Sequence, residues 1–122
     1  MKKILIIEDE KILSDLLQKK LTNEEYAVLT AANGEEGIEQ MKKNKPDLVL
    51  LDILMPKKSG FEVMEDMAKN TETKDIPVII ISNSGQPVEL EKAKKMGAKC
   101  CLVKAEFDPQ EVIEKIKEQI GK

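Results

Sequence analysis

Five short apolar runs recur along the chain, each followed by a polar turn and a stretch with helical spacing of its apolar residues. Lys3-Ile4-Leu5-Ile6-Ile7, Leu48-Val49-Leu50-Leu51, Val78-Ile79-Ile80-Ile81 and Cys100-Cys101-Leu102-Val103 read as strands, with Tyr26 to Ala31 as another between the first two. Three of these runs are nearly continuous Ile, Leu and Val, the pattern of strands covered on both faces. The intervening segments read as helices. Lys11 to Leu21 places Ile12, Leu13, Leu16, Leu17 and Leu21 on one stripe, expected to face the core. Glu35 to Lys43 has acids in its first turn and lysines in its last, which suits the helix dipole. Phe61, Val63, Met64 and Met67 mark a third helix, and a fourth starts near Pro87 and stops at Gly97. Asp108 is the expected N-cap of the last helix, with Pro109 after it and Val112, Ile113, Ile116 and Ile120 along its core face.

Strict alternation of strand and helix predicts an α/β domain whose parallel sheet carries helices on both faces. The C-terminal ends of parallel strands share one edge, where open α/β sheets bind ligands. The polar residue ending each run then gains meaning. Glu8-Asp9 ends the first run, Asp52 the third, Ser82 the fourth and Lys104 the fifth. Three carboxylates, a hydroxyl and an ammonium are expected to meet in one cleft.

Composition narrows the possibilities. The 122 residues suit one domain, 1–122, with a core large enough to need no covalent staples. The net charge of −3 is spread along the chain, and its lysines alternate with glutamates rather than forming a basic patch, so direct nucleic-acid binding is not expected. No apolar run approaches a membrane span and no signal-peptide pattern opens the chain, so a cytoplasmic location is expected. Cys100 and Cys101 are adjacent on a strand and point to opposite faces, which argues against a bond between them and for two buried, reduced thiols. With no histidine and no further cysteine, a zinc set cannot be assembled.

Two readings stand for Glu8-Asp9. One of the two could cap the following helix, or both could share a hard divalent cation through oxygen ligands and retained waters. Asp52 could form a turn, or its carboxylate could act as a nucleophile at the buried edge. A carboxylate nucleophile, a cation and a lysine together suit acyl phosphate formation on aspartate.

Glu8-Asp9, Asp52 within Leu50-Leu51-Asp52-Ile53-Leu54-Met55-Pro56, Gly60, Ser82 and Lys104, in that order on this rhythm, resemble a response-regulator receiver domain of two-component phosphorelays, like the single-domain chemotaxis regulators. The resemblance runs end to end. It implies a (βα)5 flavodoxin-like doubly wound parallel sheet with strand order 2-1-3-4-5. It also implies that Asp52 accepts a phosphoryl group and that Glu8, Asp9, Asp52 and the backbone carbonyl of Leu54 hold Mg2+ directly or through water. Ser82 would hydrogen-bond the phosphoryl oxygens and Lys104 would pair with one of them. The implied partners are a histidine kinase or phosphotransfer protein as donor and an unidentified downstream protein as output, met through the fourth helix, fifth strand and fifth helix. The chain would be a stand-alone receiver or one domain of a larger protein. It would be a phosphoacceptor that slowly dephosphorylates itself rather than an enzyme acting on other substrates.

Three positions depart from that pattern. Cys101 stands at the switch position where the family usually has Phe or Tyr, Ala105 replaces the proline after the lysine, and Asn83 replaces a small residue after Ser82. A thiol has little to swing, so a weak conformational response, or one carried by Ser82 and its loop, is expected. Leu54 and Ser84 flank the phosphoryl site in this family. The Leu54 side chain cannot hold an attacking water, which predicts slow self-hydrolysis. The departures also motivate an alternative, a phosphorylation-independent receiver-like adaptor. A phosphatase working through an aspartyl phosphate would need a second acid two residues past Asp52, where Leu54 stands. A flavin carrier is disfavoured because Glu8-Asp9-Glu10 would repel phosphate.

Overall fold

The computed structural model describes residues 1–53, 55, 57–82, 87–103 and 108–121. Strands β1 (Lys3–Ile7), β2 (Ala27–Ala31), β3 (Leu48–Asp52), β4 (Val78–Ser82) and β5 (Cys100–Val103) alternate with helices α1 (Lys11–Asn23), α2 (Gly34–Asn44), α3 (Gly60–Lys69), α4 (Pro87–Lys95) and α5 (Pro109–Ile120). The strands form one parallel sheet in the order β2-β1-β3-β4-β5, the flavodoxin-like arrangement.

The strand sequences explain the two-sided core. Ile4, Ile6, Leu48, Leu50, Ile79 and Ile81 face one way, onto Leu17 and Leu21 of α1 and Val112, Ile113 and Ile116 of α5. Leu5, Ile7, Val49, Leu51 and Ile80 face the other way, onto Met41, Val63, Met64, Met67 and Ala93. Each alternate residue therefore has an apolar partner, which is why these runs need no polar positions. The α5 residues are core, as expected. On α1 the expected stripe is narrower: Ile12 is 87% exposed and Leu16 42% exposed, while Leu17 and Leu21 are buried. The sheet covers only the arc through Leu17 and Leu21, and Ile12 falls outside it at the start of the helix.

Local signals set the helix ends. The Asn33 side chain accepts from the Glu36 N–H at 3.0 Å. Ser59 and Glu62 form a reciprocal capping box at the start of α3, and Asp108 accepts from the Glu111 N–H at 3.1 Å. After α4, Gly97 sits at φ +108°, a conformation side chains resist. No described helix is long and apolar enough to cross a membrane.

The end of α5 is tied to the opposite edge of the sheet. Buried Tyr26, which stands just before β2 rather than within it, donates its hydroxyl to the Gly121 carbonyl at 2.8 Å. Lys117 pairs with Glu24 at 2.6 Å, and Lys2 donates to the Ile120 carbonyl. Burial pushes the Tyr26 phenol above its ordinary 10.0, outweighing the opposing pull of Lys117. The folded chain thus holds this proton more tightly than the unfolded one. The resulting stability is complete below the ordinary value and is lost as pH rises through the folded value. Tyr26→Phe should cost about 1 kcal/mol at neutral pH, the worth of a typical hydrogen bond, and should remove part of the alkaline loss. Urea midpoints at neutral and alkaline pH measure both. An unchanged alkaline slope in Tyr26→Phe would assign that loss to other groups.

Candidate functional site

The strand order reverses at β1, whose neighbours are β2 on one side and β3 on the other. The crevice at such a switch point is where a doubly wound sheet offers its C-terminal edge to ligands. Glu8 follows β1 directly. Its backbone N–H donates to the Ala31 carbonyl at 3.0 Å, which extends the ladder one step and fixes the residue against the sheet. Asp52 is the last residue of β3, in register with Ile81. Ser82 comes one step further along β4, opposite Val103.

Both carboxylates are deep. Asp52 is 0% exposed and Glu8 2%, whereas Asp9 is open to solvent. One carboxylate oxygen from each of Glu8, Asp9 and Asp52 lies within 4.8 Å of the others. Ser82 is buried as well. Beside the acidic trio lies a concavity of about 300 Å³ lined by Glu8, Asp9, Lys11, Ser14, Asp15 and Thr30, which leaves room for water around Asp9.

These positions bear on the readings left open above. Glu10, not Glu8 or Asp9, is the N-cap residue of α1, so capping does not account for the acidic pair. Asp52 pairs within the sheet instead of forming a turn. Like charges brought this close at a low-dielectric edge favour a bound cation. Three carboxylate oxygens, one of them wet, are the hard donors that a divalent ion such as Mg2+ takes while keeping some of its waters. The donor set fits such an ion.

Gly60 packs the end of β3 against α3. Its N–H donates to the Ile53 carbonyl at 2.7 Å, and a Cβ there would meet the Asp52 carbonyl oxygen at 2.4 Å and the Ile53 Cα at 2.8 Å. In the sequence Gly60 stands out only within the family resemblance; the close approach is a tertiary fact. The Ser59-x-x-Glu62 spacing, by contrast, is a legible capping signal that hydrophobic patterning alone passes over.

Cys100 and Cys101 are free and half-buried rather than buried, and they pack into opposite cores as strand alternation requires. The Cys101 Sγ lies 4.0 Å from the Leu90 carbonyl oxygen of α4, and burial raises its thiol pKa. An inert thiol, not a reactive one, follows. Leu54, Asn83, Ser84, Lys104 and Ala105 lie outside the described residues.

A family model described as the response regulator receiver domain matches residues 4–117. The chain belongs to this family. As a receiver domain it falls within two-component signalling. It is similar to the protein PilH of Pseudomonas aeruginosa, 36% identical over 104 residues, covering 85% of this chain and 86% of that protein. It also resembles the probable transcriptional regulator ycf27 of Pyropia yezoensis, 35% identical over 115 residues, covering 94% of this chain but 46% of the regulator. The receiver domain thus spans about half the length of that curated relative. Among solved structures, the response regulator TrrA of Thermotoga maritima, in complex with Mg2+ and BeF, superposes with a TM-score of 0.85 at 34% identity, covering 98% of this chain and 100% of that one.

Proposed function

We propose that this receiver domain accepts a phosphoryl group on Asp52, with Mg2+ held by Glu8, Asp9 and Asp52, and that the acyl phosphate directs its docking to a downstream protein. The observation carrying this reading is the buried Asp52 carboxylate at the strand end, sharing a 4.8 Å space with Glu8 and Asp9. The Mg2+–BeF complex of the TrrA relative, a full-length match, supports the same use of the site. By its family pattern the Leu54 carbonyl would add a ligand.

In the proposed reaction an Asp52 carboxylate oxygen attacks phosphorus. The P–N bond of a phosphohistidine on a kinase or phosphotransfer protein, or the P–O bond of a small phosphodonor, breaks, and its electron pair leaves with the donor. When bound, Mg2+ would neutralise charge on the phosphoryl oxygens. Burial of Asp52 limits bulk water at the acyl phosphate, and Gly60 holds its backbone in place. Ser82, buried at the end of β4 one step past Ile81, is proposed to donate its hydroxyl toward a phosphoryl oxygen as that group arrives. Lys104 is proposed as the pairing cation.

Incubation with a small phosphodonor, followed by intact-mass measurement, tests this reading. One phosphoryl adduct that requires Mg2+ is expected. A second reading, the phosphorylation-independent adaptor, is favoured by the small Cys101 thiol where β5 meets α4; absence of any adduct with Mg2+ present would support it. Leu54 offers no side-chain atom to seat a water, so Leu54→Asn should shorten the phosphoryl half-life. A shorter half-life in the wild type would contradict that role.

A further inference from the structure

Helix α4 rests lightly on the rest of the molecule. Among its described side chains Ala93 alone is buried, while Glu91, Lys92, Lys94 and Lys95 are exposed. The Cys101 thiol gives this helix a weak approach to the Leu90 carbonyl and shares the apolar cluster of Ala93. A directional contact does cross from α4 to α3. The Lys92 ammonium lies over the Phe61 ring, 4.4 Å from its centroid. This is inside the range at which a cation is held by an aromatic face.

Phe61 is not free to drift. It follows Gly60, whose N–H is bonded to Ile53 and whose Cα packs against the Asp52 carbonyl with no space for a Cβ. The backbone that carries Phe61 is therefore seated on the end of β3, and the half-buried ring packs against the core on that side. A path of contacts runs from Asp52 and Ile53 through Gly60 to Phe61, and from the ring to Lys92.

We propose that the Phe61–Lys92 contact is a latch that holds α4 to α3 and passes the state of Asp52 to α4. The inference rests on the phosphoacceptor reading. A phosphoryl group enlarges and recharges the end of β3, and Gly60 leaves no slack between that end and Phe61. A displacement of Asp52 carries the ring with it and changes its hold on Lys92, which supplies the differential contact a shift of α4 requires. This route bypasses the Cys101 position, where a thiol cannot act as a lever.

The test uses the isotope-labelled full chain, with Phe61→Leu and Lys92→Met as variants that keep apolar bulk and stem packing. Two readouts are taken: amide exchange of Leu90 and Ala93 in the metal-free protein, and amide shifts on adding Mg2+ and beryllofluoride. Both variants should speed exchange at Leu90 and Ala93 by roughly two- to fivefold, the worth of one exposed ring–cation contact. On addition of Mg2+ and beryllofluoride, both should retain the wild-type shifts at Ile53 and Gly60 while losing at least about half of those at Leu90 and Ala93, and the double variant should lose no more than either single one. Unchanged exchange in the variants overturns the latch. Wild-type shifts at Ile53 that never reach α4, or α4 shifts equal in all proteins, overturn the coupling. Exchange that speeds up as expected in the variants, with a wild type whose Ile53 ignores Mg2+ and beryllofluoride, overturns the phosphoacceptor reading and the coupling with it, while sustaining the latch.

Discussion

Asp52→Asn is expected to make the metal-free protein more stable and to erase its response to Mg2+. Asp52 and Glu8 are both buried, with oxygens within 4.8 Å of each other and of Asp9. Two unit charges at that separation repel by about 3 kcal/mol at an effective dielectric near 20. Part of that gain is offset because an amide replaces acceptor oxygens with a donor, so a net rise of about 1–2 kcal/mol is expected. For a chain of this size that is roughly 3–10 °C in Tm. In the wild type, Mg2+ should raise Tm by mass action, since only the folded chain assembles the trio. In Asp52→Asn the added ion should leave Tm nearly unchanged. Thermal melts in chelator and in Mg2+ measure both effects. A variant less stable than wild type in chelator would mean that the trio is not under electrostatic strain.

Gly60→Ala should be the most damaging single methyl added near the site. The new Cβ would stand 2.4 Å from the Asp52 carbonyl oxygen and 2.8 Å from the Ile53 Cα. Both are backbone atoms, so relief requires moving the end of β3 or the start of α3. A cost of about 2–4 kcal/mol is expected, together with slower phosphoryl labelling because the acceptor is displaced. Gly37→Ala is the control. There the clash is with the Ile7 side chain, the nearest atom being its terminal Cδ1 at 2.4 Å. A side chain can yield, and alanine's helix propensity returns up to about 1 kcal/mol. Urea midpoints should therefore separate the two variants clearly. Equal losses would show that the Gly60 approach is not special.

The fold was legible in the sequence to the extent that local rules govern it. Continuous apolar runs announced strands buried on both faces, and Asp108-Pro109 and Gly97 announced helix ends through capping and φ. Strand order was not contained in that periodicity; it came from the resemblance, because alternating β and α units permit several orders. Ile12 and Leu16 misled because helical spacing identifies an apolar stripe without saying how wide an arc the sheet covers. The cysteines of β5 misled in a similar way, because that strand lies at the edge of the sheet and leaves both of them half-buried. Glu8, Asp9, Asp52 and Ser82 were legible because each ends an apolar run, and parallel topology brings such ends together. The approach of Gly60 to Asp52, the Tyr26 bond to Gly121 and the ring of Phe61 under Lys92 join residues distant in sequence, and no local pattern marks them.

The carboxylate of residue 52, and no other acid, is the proposed acceptor of the phosphoryl group. Labelling with a small phosphodonor in Mg2+, followed by borohydride reduction and peptide mapping, addresses it directly, because reduction converts an aspartyl phosphate to homoserine. Homoserine is expected at position 52 alone, and none in chelator. Homoserine at Asp9 instead of 52, the one-carbon-longer hydroxynorvaline at Glu8, or an adduct that survives Asp52→Asn would overturn this assignment.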